Sequence, residues 1–179
     1  MEFRNRNSFQ IKTATREDAD SIMKLLKEIA RWMKENEIAQ WQFLLEGGDD
    51  EEIINAIESK DTYVMVRGGE LVATFTLSAK QSEWDTELWG EDSEADSHYL
   101  HRLAVNRDYK NQGLGSAILS WIQENSSFTK KYIKLDCVAH NEKLNRFYSD
   151  NGFEYVGENN GHSKFQKLKQ RDGSHASFS

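Results

Sequence analysis

HYLHRLAVNRDYKNQGLGSAIL, residues 98–119, decides the architecture. Residues 98–105 read as a strand, and a polar stretch follows as far as Asn111. Gly113-Leu114-Gly115 then opens a helix with Ile118, Trp121 and Ile122 on one side. Downstream, KYIKLDCVA at 131–139 predicts a second strand. It leads to a helix carrying Leu144, Phe147 and Tyr148, which Asn151-Gly152 stops. Strand, helix, strand, helix in this order predicts a right-handed crossover between parallel strands.

Upstream, FQIKTA at 9–14 reads as a short strand, and Thr15 with Asp18 three positions on resembles a capping box. Ile22, Leu25, Leu26, Ile29 and Met33 recur at the three-and-four spacing of a one-sided helix ending near Asn36. Gly47 and Gly48 break the chain, and Asp49 or Asp50 caps a second helix through Ile53, Ile54 and Ile57. TYVMV (62–66) and LVATFTL (71–77) flank Gly68-Gly69, the turn chemistry of an antiparallel hairpin. Residues 79–97 hold Trp84, Trp89 and seven carboxylates without a sustained period, and so read as a long loop. FEYVG (153–157) and KFQKL (164–168) read as closing strands. No internal repeat or linker interrupts this order, so a single domain is expected over 1–169, with a loose tail at 170–179.

Composition narrows the function. Thirty acidic against twenty-three basic residues leave a net charge of -7, which argues against a non-specific grip on nucleic acid. No run approaches the ~20 apolar residues of a membrane span. Aromatic residues at 11% are too many for a disordered polymer, and the absence of proline removes proline-rich ligand segments. One cysteine, Cys137, cannot form an internal disulfide, and the amino-terminal MEFRNRNSFQ lacks the apolar core of a secretory signal. The cytoplasm is the expected compartment.

The turn from strand to helix at Gly113-Leu114-Gly115 gathers backbone N–H groups at the positive end of a helix, a site suited to phosphate. Arg107 and Lys110 add positive charge there. The same glycines are also what a tight strand-to-helix turn needs on geometry alone. A dinucleotide fingerprint needs a third glycine where Ile118 stands, and a Walker loop needs a Gly-Lys-Ser/Thr run that is absent. Taken with NEKLNRFYSDNGF at 141–153, the stretch LAVNRDYKNQGLGSAIL at 103–119 resembles the GNAT superfamily of acyl-CoA-dependent N-acyltransferases. The likeness runs from about residue 9 to about 157 and includes Gln40-Trp41 after the first helix.

The resemblance implies an α/β fold with a mixed, splayed β-sheet flanked by helices, in the order β-α-α-β-β-β-α-β-α-β with a further closing strand. It implies acetyl-coenzyme A as cosubstrate, an amine acceptor attacking directly, and no metal. Lys110, Gly113 and Gly115 fall on the marked positions of that superfamily's pyrophosphate loop, with Asn111 where glycine is frequent. Lys110, Asn111, Gln112, Gly113, Leu114, Gly115 and Ser116 would therefore cradle the diphosphate. The edge of the strand at Leu103, Ala104 and Val105 would pair with the pantetheine arm. Asn141 and Asn145 are candidates for cofactor amide contacts, against the plainer reading of helix capping.

Tyr148 matches the superfamily's aromatic-Tyr motif and would protonate the departing thiolate. Without that motif it reads as a core tyrosine beside Leu144 and Phe147. His101 is the candidate proton relay for the amine, on a strand face shared by period two with Tyr99, Leu103 and Val105; a structural histidine is the alternative. That parity places His98 on the opposite face, so His98 and His101 are not expected to hold a metal together. Glu83 is a fallback base. Trp41, Trp84, Glu83 and Tyr99 are the candidate acceptor-binding residues. Cys137 is expected to be a structural thiol. The expected partner is a small-molecule amine, not nucleic acid or membrane, and both a monomer and a homodimer are compatible with the sequence. A coenzyme A-binding regulatory domain with little turnover is the competing reading.

Overall fold

The computed structural model describes residues 8–38 and 41–169. The chain forms β1 (Gln10–Thr13), α1 (Ala19–Glu35), α2 (Asp50–Glu58), β2 (Thr62–Arg67) and β3 (Glu70–Ser78). It continues through α3 (Glu83–Trp89), β4 (Ser97–Val105), α4 (Leu114–Glu124) and β5 (Tyr132–Val138). It closes with α5 (Glu142–Asp150), β6 (Glu154–Asn159) and β7 (His162–Leu168). The result is a mixed α/β fold with a seven-stranded sheet in the order β1-β2-β3-β4-β5-β7-β6. Two compact units divide it: residues up to Leu77 with Arg102–Gly115, and Ser78–His101 with residues from Ser116 onward. Gln40, noted in the sequence, and the tail at 170–179 lie outside the described residues. No helix among those described is long and apolar enough to cross a membrane.

In the first unit, the one-sided pattern of α1 is realised: Ile22, Leu25, Leu26, Ile29 and Ala30 are all buried. They cluster with Leu44, Ile53, Ile57, Val64 and Ala104. Each Leu or Ile fully removed from water contributes about 1.5–3 kcal/mol, so this cluster is the main support of the unit. Asp18 accepts the Thr15 backbone N–H at 2.8 Å, fixing the entry to α1 as the capping pattern predicts. Gly68 and Gly69 both take left-handed backbone, with φ of 58° and 83°. They close a two-residue hairpin in which Arg67 faces Glu70.

In the second unit, the parallel ladder joins Ser97–Tyr99 to Tyr132–Lys134, which occupies only the first third of β4. β5 then pairs antiparallel with β7 along its whole length, from Tyr132 against Leu168 to Val138 against His162. β6 pairs with β7 through a register break between Tyr155 and Gly157. Buried Leu88, Ile118, Ile122, Ile133 and Phe165 supply the apolar interior.

One expectation is corrected here. Residues 79–97 are not a continuous loop, because Glu83–Trp89 form helix α3. The Ser82 hydroxyl accepts the Asp85 N–H at 3.1 Å, and Asp85 returns the contact by accepting the Ser82 N–H at 3.0 Å. Only Asp85 and Leu88 of this helix are buried, so no apolar period advertises it. The legible signal was the Ser82-x-x-Asp85 capping pattern itself.

His98 yields a testable prediction about stability. It is 7% exposed, packs edge-on against Phe128 and accepts the Lys130 backbone N–H. Burial foremost, then the charges of Lys130 and Lys169, push its pKa down to about 4. The folded state therefore binds one proton fewer than the unfolded chain between about pH 6.5 and 4, and stability falls as pH falls through that window. In urea titrations, His98→Gln should flatten this acid limb by up to ~1.4 kcal/mol per pH unit. Parallel limbs for both proteins would show that His98 carries no such proton.

Candidate active site

In the first unit, the Asn106 side chain accepts the Asp108 N–H at 2.9 Å and starts a single 3-10 turn over Arg107–Tyr109. Beyond it Asn111 has φ 63° and Gly113 φ 73°. Left-handed residues spaced in this way are the backbone from which concave anion-binding turns are built, and they stand immediately before α4 begins at Leu114. An asparagine bears a left-handed backbone at lower cost than most residues, so Asn111 can stand where glycine is frequent. Lys110, Asn111, Gln112 and Gly113 are exposed, Gly115 and Ser116 half-buried, and Leu114 buried. A side chain built on Gly113 meets nothing within 4 Å, so its glycine is required by φ and not by crowding.

Arg107 does not stand free beside this loop. Its guanidinium lies 3.7 Å over the Trp32 ring, a cation–π contact that fixes the charge on α1. Trp32 therefore has a role that its place in a helix did not reveal. Trp41, also left-handed at φ 66°, is half-buried against the α1–α2 cluster.

On β4, Ala104 is buried, whereas Leu103 and Val105 are half-buried. Arg102 has φ 53° and reaches Asp49 at 3.6 Å. Left-handed backbone inside a strand interrupts the alternation of faces. The shared face expected for Tyr99, His101, Leu103 and Val105 therefore does not carry past Arg102.

The second unit holds the titratable groups. His101 Nε2 lies 3.0 Å from Asp85 Oδ2. Trp84 donates its indole N–H to Asp136, 3.2 Å and 3.3 Å from the two carboxylate oxygens, and stands edge-on to His162. His162 Nδ1 is 3.0 Å from Asp136 Oδ2 but out of line for a hydrogen bond. Glu83 is exposed on the first turn of α3. Tyr99 is 1% exposed, and its hydroxyl is 3.2 Å from Gln81 and 3.4 Å from Asp92. With Trp89, Lys134 and the carboxylates of Glu91, Asp92, Glu94 and Asp96, Tyr99 lines a cavity of about 270 Å³.

Tyr148 is buried among the rings of Phe147, Phe153 and Phe165. Burial first, then the neighbouring Cys137 and Asp136, raise its phenol pKa well above the usual value, so it stays protonated. Asn141 caps α5 by accepting the Leu144 N–H at 3.1 Å. The Asn145 amide reaches the carbonyls of Val138, Ala139 and Asn141. These two asparagines brace the β5–α5 turn that presents Tyr148. Burial and Asp136 push the Cys137 thiol up to about 12, which leaves it neutral, as expected of a packed thiol.

A mixed sheet whose parallel pair is joined only at its start, followed by a turn with two left-handed residues onto a helix, defines a mixed α/β protein with a protonated phenol on a later helix. The acetyltransferase (GNAT) family model matches residues 26–153. The uncharacterised N-acetyltransferase YesJ of Bacillus subtilis is 41% identical over 156 residues, covering 86% of this chain and 87% of the relative. A GNAT-family acetyltransferase structure from Listeria monocytogenes is 32% identical with a TM-score of 0.79, over 90% of this chain and 95% of that one. The PaiA N-acetyltransferase of Thermoplasma acidophilum, solved in complex with coenzyme A, shares the fold at 16% identity and a TM-score of 0.71, over 90% and 99% of the two chains. The chain belongs to the GNAT acetyltransferase family and is an acetyltransferase.

Proposed function

We propose that this acetyltransferase moves an acetyl group from acetyl-coenzyme A to the amine of a small molecule by direct attack, in the cytoplasm. The observation that carries the reading is the loop Lys110–Gly115, with left-handed Asn111 and Gly113 at the start of α4. Its exposed N–H groups and the Lys110 ammonium suit a diphosphate. Backbone groups at Leu103, Ala104 and Val105 pair with the pantetheine arm and polarise the thioester carbonyl as charge develops on oxygen.

An alkylamine of pKa near 10 is about 99.9% protonated at pH 7, so a proton must leave before nitrogen can attack. His101 accepts that proton. The amine lone pair then bonds to the carbonyl carbon, the carbon–sulfur bond breaks, and the thiolate departs; the second proton lost from nitrogen, which leaves the amide, passes through water to that thiolate. Tyr148 donates a hydrogen bond to the sulfur as its charge develops. The cavity beside Tyr99 and Trp89 is lined by four acidic residues and by Lys134, whose ammonium already lies 4.9 Å from the Trp89 ring, so it is the carboxylates that suit the amine of a small molecule.

Release of free thiol from acetyl-coenzyme A across a panel of polyamines, arylalkylamines, amino acids and aminoglycosides tests this reading. Acceptor-dependent release with one class supports it. Release only with peptide or protein amines would replace the small-molecule acceptor. A second check concerns the loop. Valine at φ 73° costs roughly 1–3 kcal/mol of backbone strain, so Gly113→Val should rearrange the cradle and weaken coenzyme A binding at least tenfold by calorimetry. Unchanged affinity in a folded variant would remove this loop from the cofactor site.

A further inference from the structure

Among the described residues, Asp85 is the most deeply buried carboxylate in contact with an imidazole, at 1% side-chain exposure. Its Oδ2 accepts the Ser82 backbone N–H and faces His101 Nε2, both at 3.0 Å. The carboxylate cannot swing away without undoing the first turn of α3, because Ser82 Oγ holds the Asp85 N–H in return. An ionised carboxylate only accepts hydrogen bonds, so the hydrogen between Oδ2 and a neutral ring belongs to Nε2. The ring lone pair is then on Nδ1.

We propose that Asp85 is a positioning residue for acetyl transfer: it holds His101 in the Nε2–H tautomer, so that Nδ1 is the atom that takes the proton from the acceptor amine. The inference rests on the reading of His101 as the proton relay. When Nδ1 accepts the proton the ring becomes an imidazolium with an N–H at both nitrogens. Asp85 stays ionised and compensates that charge. The proton then passes from Nδ1 to water, which the 19% exposure of the His101 side chain permits. The other imidazole–carboxylate pair in the same unit lacks this geometry. Asp136 already accepts the Trp84 indole, and His162 meets it out of line. Glu83, two residues earlier on α3, is exposed and belongs to no such arrangement.

Long-range nitrogen–proton correlation spectra of the full chain, recorded with the imidazoles neutral, should place the His101 ring proton on Nε2. A proton on Nδ1 overturns the proposal whatever the kinetics. In parallel, Asp85→Asn keeps an oxygen for the capping contact and removes the charge. Its turnover at pH 7 should fall by roughly 10²-fold with little change in KM for acetyl-coenzyme A. As pH approaches the pKa of the amine the deficit should narrow. Wild-type turnover by Asp85→Asn, alongside a crippled His101→Ala, would overturn the role of Asp85 and leave the relay standing. Wild-type turnover by His101→Ala would instead remove the relay, even with the tautomer as expected.

Discussion

Replacing Tyr148 by phenylalanine should lower turnover by roughly 10²- to 10³-fold while leaving coenzyme A affinity and fold nearly unchanged. The ring itself is held among Phe147, Phe153 and Phe165, contacts that phenylalanine retains. Only the hydroxyl is lost. Burial raises its pKa above the usual ~10 of a phenol, and a thiol leaving group has a pKa of ~8.5. Complete transfer of the phenolic proton to sulfur is thus uphill, and the hydroxyl acts chiefly by hydrogen bonding to the charge as it forms. Steady-state kinetics with thermal unfolding as a control decide the matter. Near-normal turnover in a folded variant would return Tyr148 to core packing.

His101→Ala should cost roughly 10²- to 10³-fold at pH 7, where only about 0.1% of an alkylamine of pKa near 10 is free to attack. Without a relay, the reaction depends on that free fraction. The deficit should therefore shrink by about tenfold for each pH unit and close between about pH 9 and 10. The measurement is a pH–rate profile of kcat/KM for both proteins with one amine. Profiles of the same shape would show that His101 is not the principal base.

The parts of this fold that were legible in the sequence are those where local chemistry and burial agree. Ile22, Leu25, Leu26 and Ile29 mark one side of α1 because that side is the interior of its unit. Gly68-Gly69 marks a hairpin because few other residues adopt both left-handed angles. The turn before α4 was legible for the same reason, since Asn111 and Gly113 tolerate the backbone it needs. Helix α3 escaped because two buried residues make no period. The carboxylate facing His101 escaped with it: Asp85 sits in an acidic stretch whose members otherwise read as solvated. Arg102 has no preference for left-handed backbone, so nothing local announces the break in β4. The Trp84–Asp136 contact spans 52 residues of chain and depends on tertiary structure alone.

The broken register of the last strand bears on how this protein behaves when concentrated. β6 is the outer strand of its sheet and offers Tyr155 and Val156 to solvent at 53% and 37% exposure. A straight, apolar border of this kind is a template on which further chains could stack indefinitely. The irregularity between Tyr155 and Gly157, with Gly157 at φ 132°, bends that border and spoils the even spacing of its free N–H and C=O groups. Fibrillar growth by strand addition is thereby discouraged at this border. A neighbour meeting this border would find the side chains of Tyr155 and Val156 more readily than an even ladder of hydrogen-bonding groups.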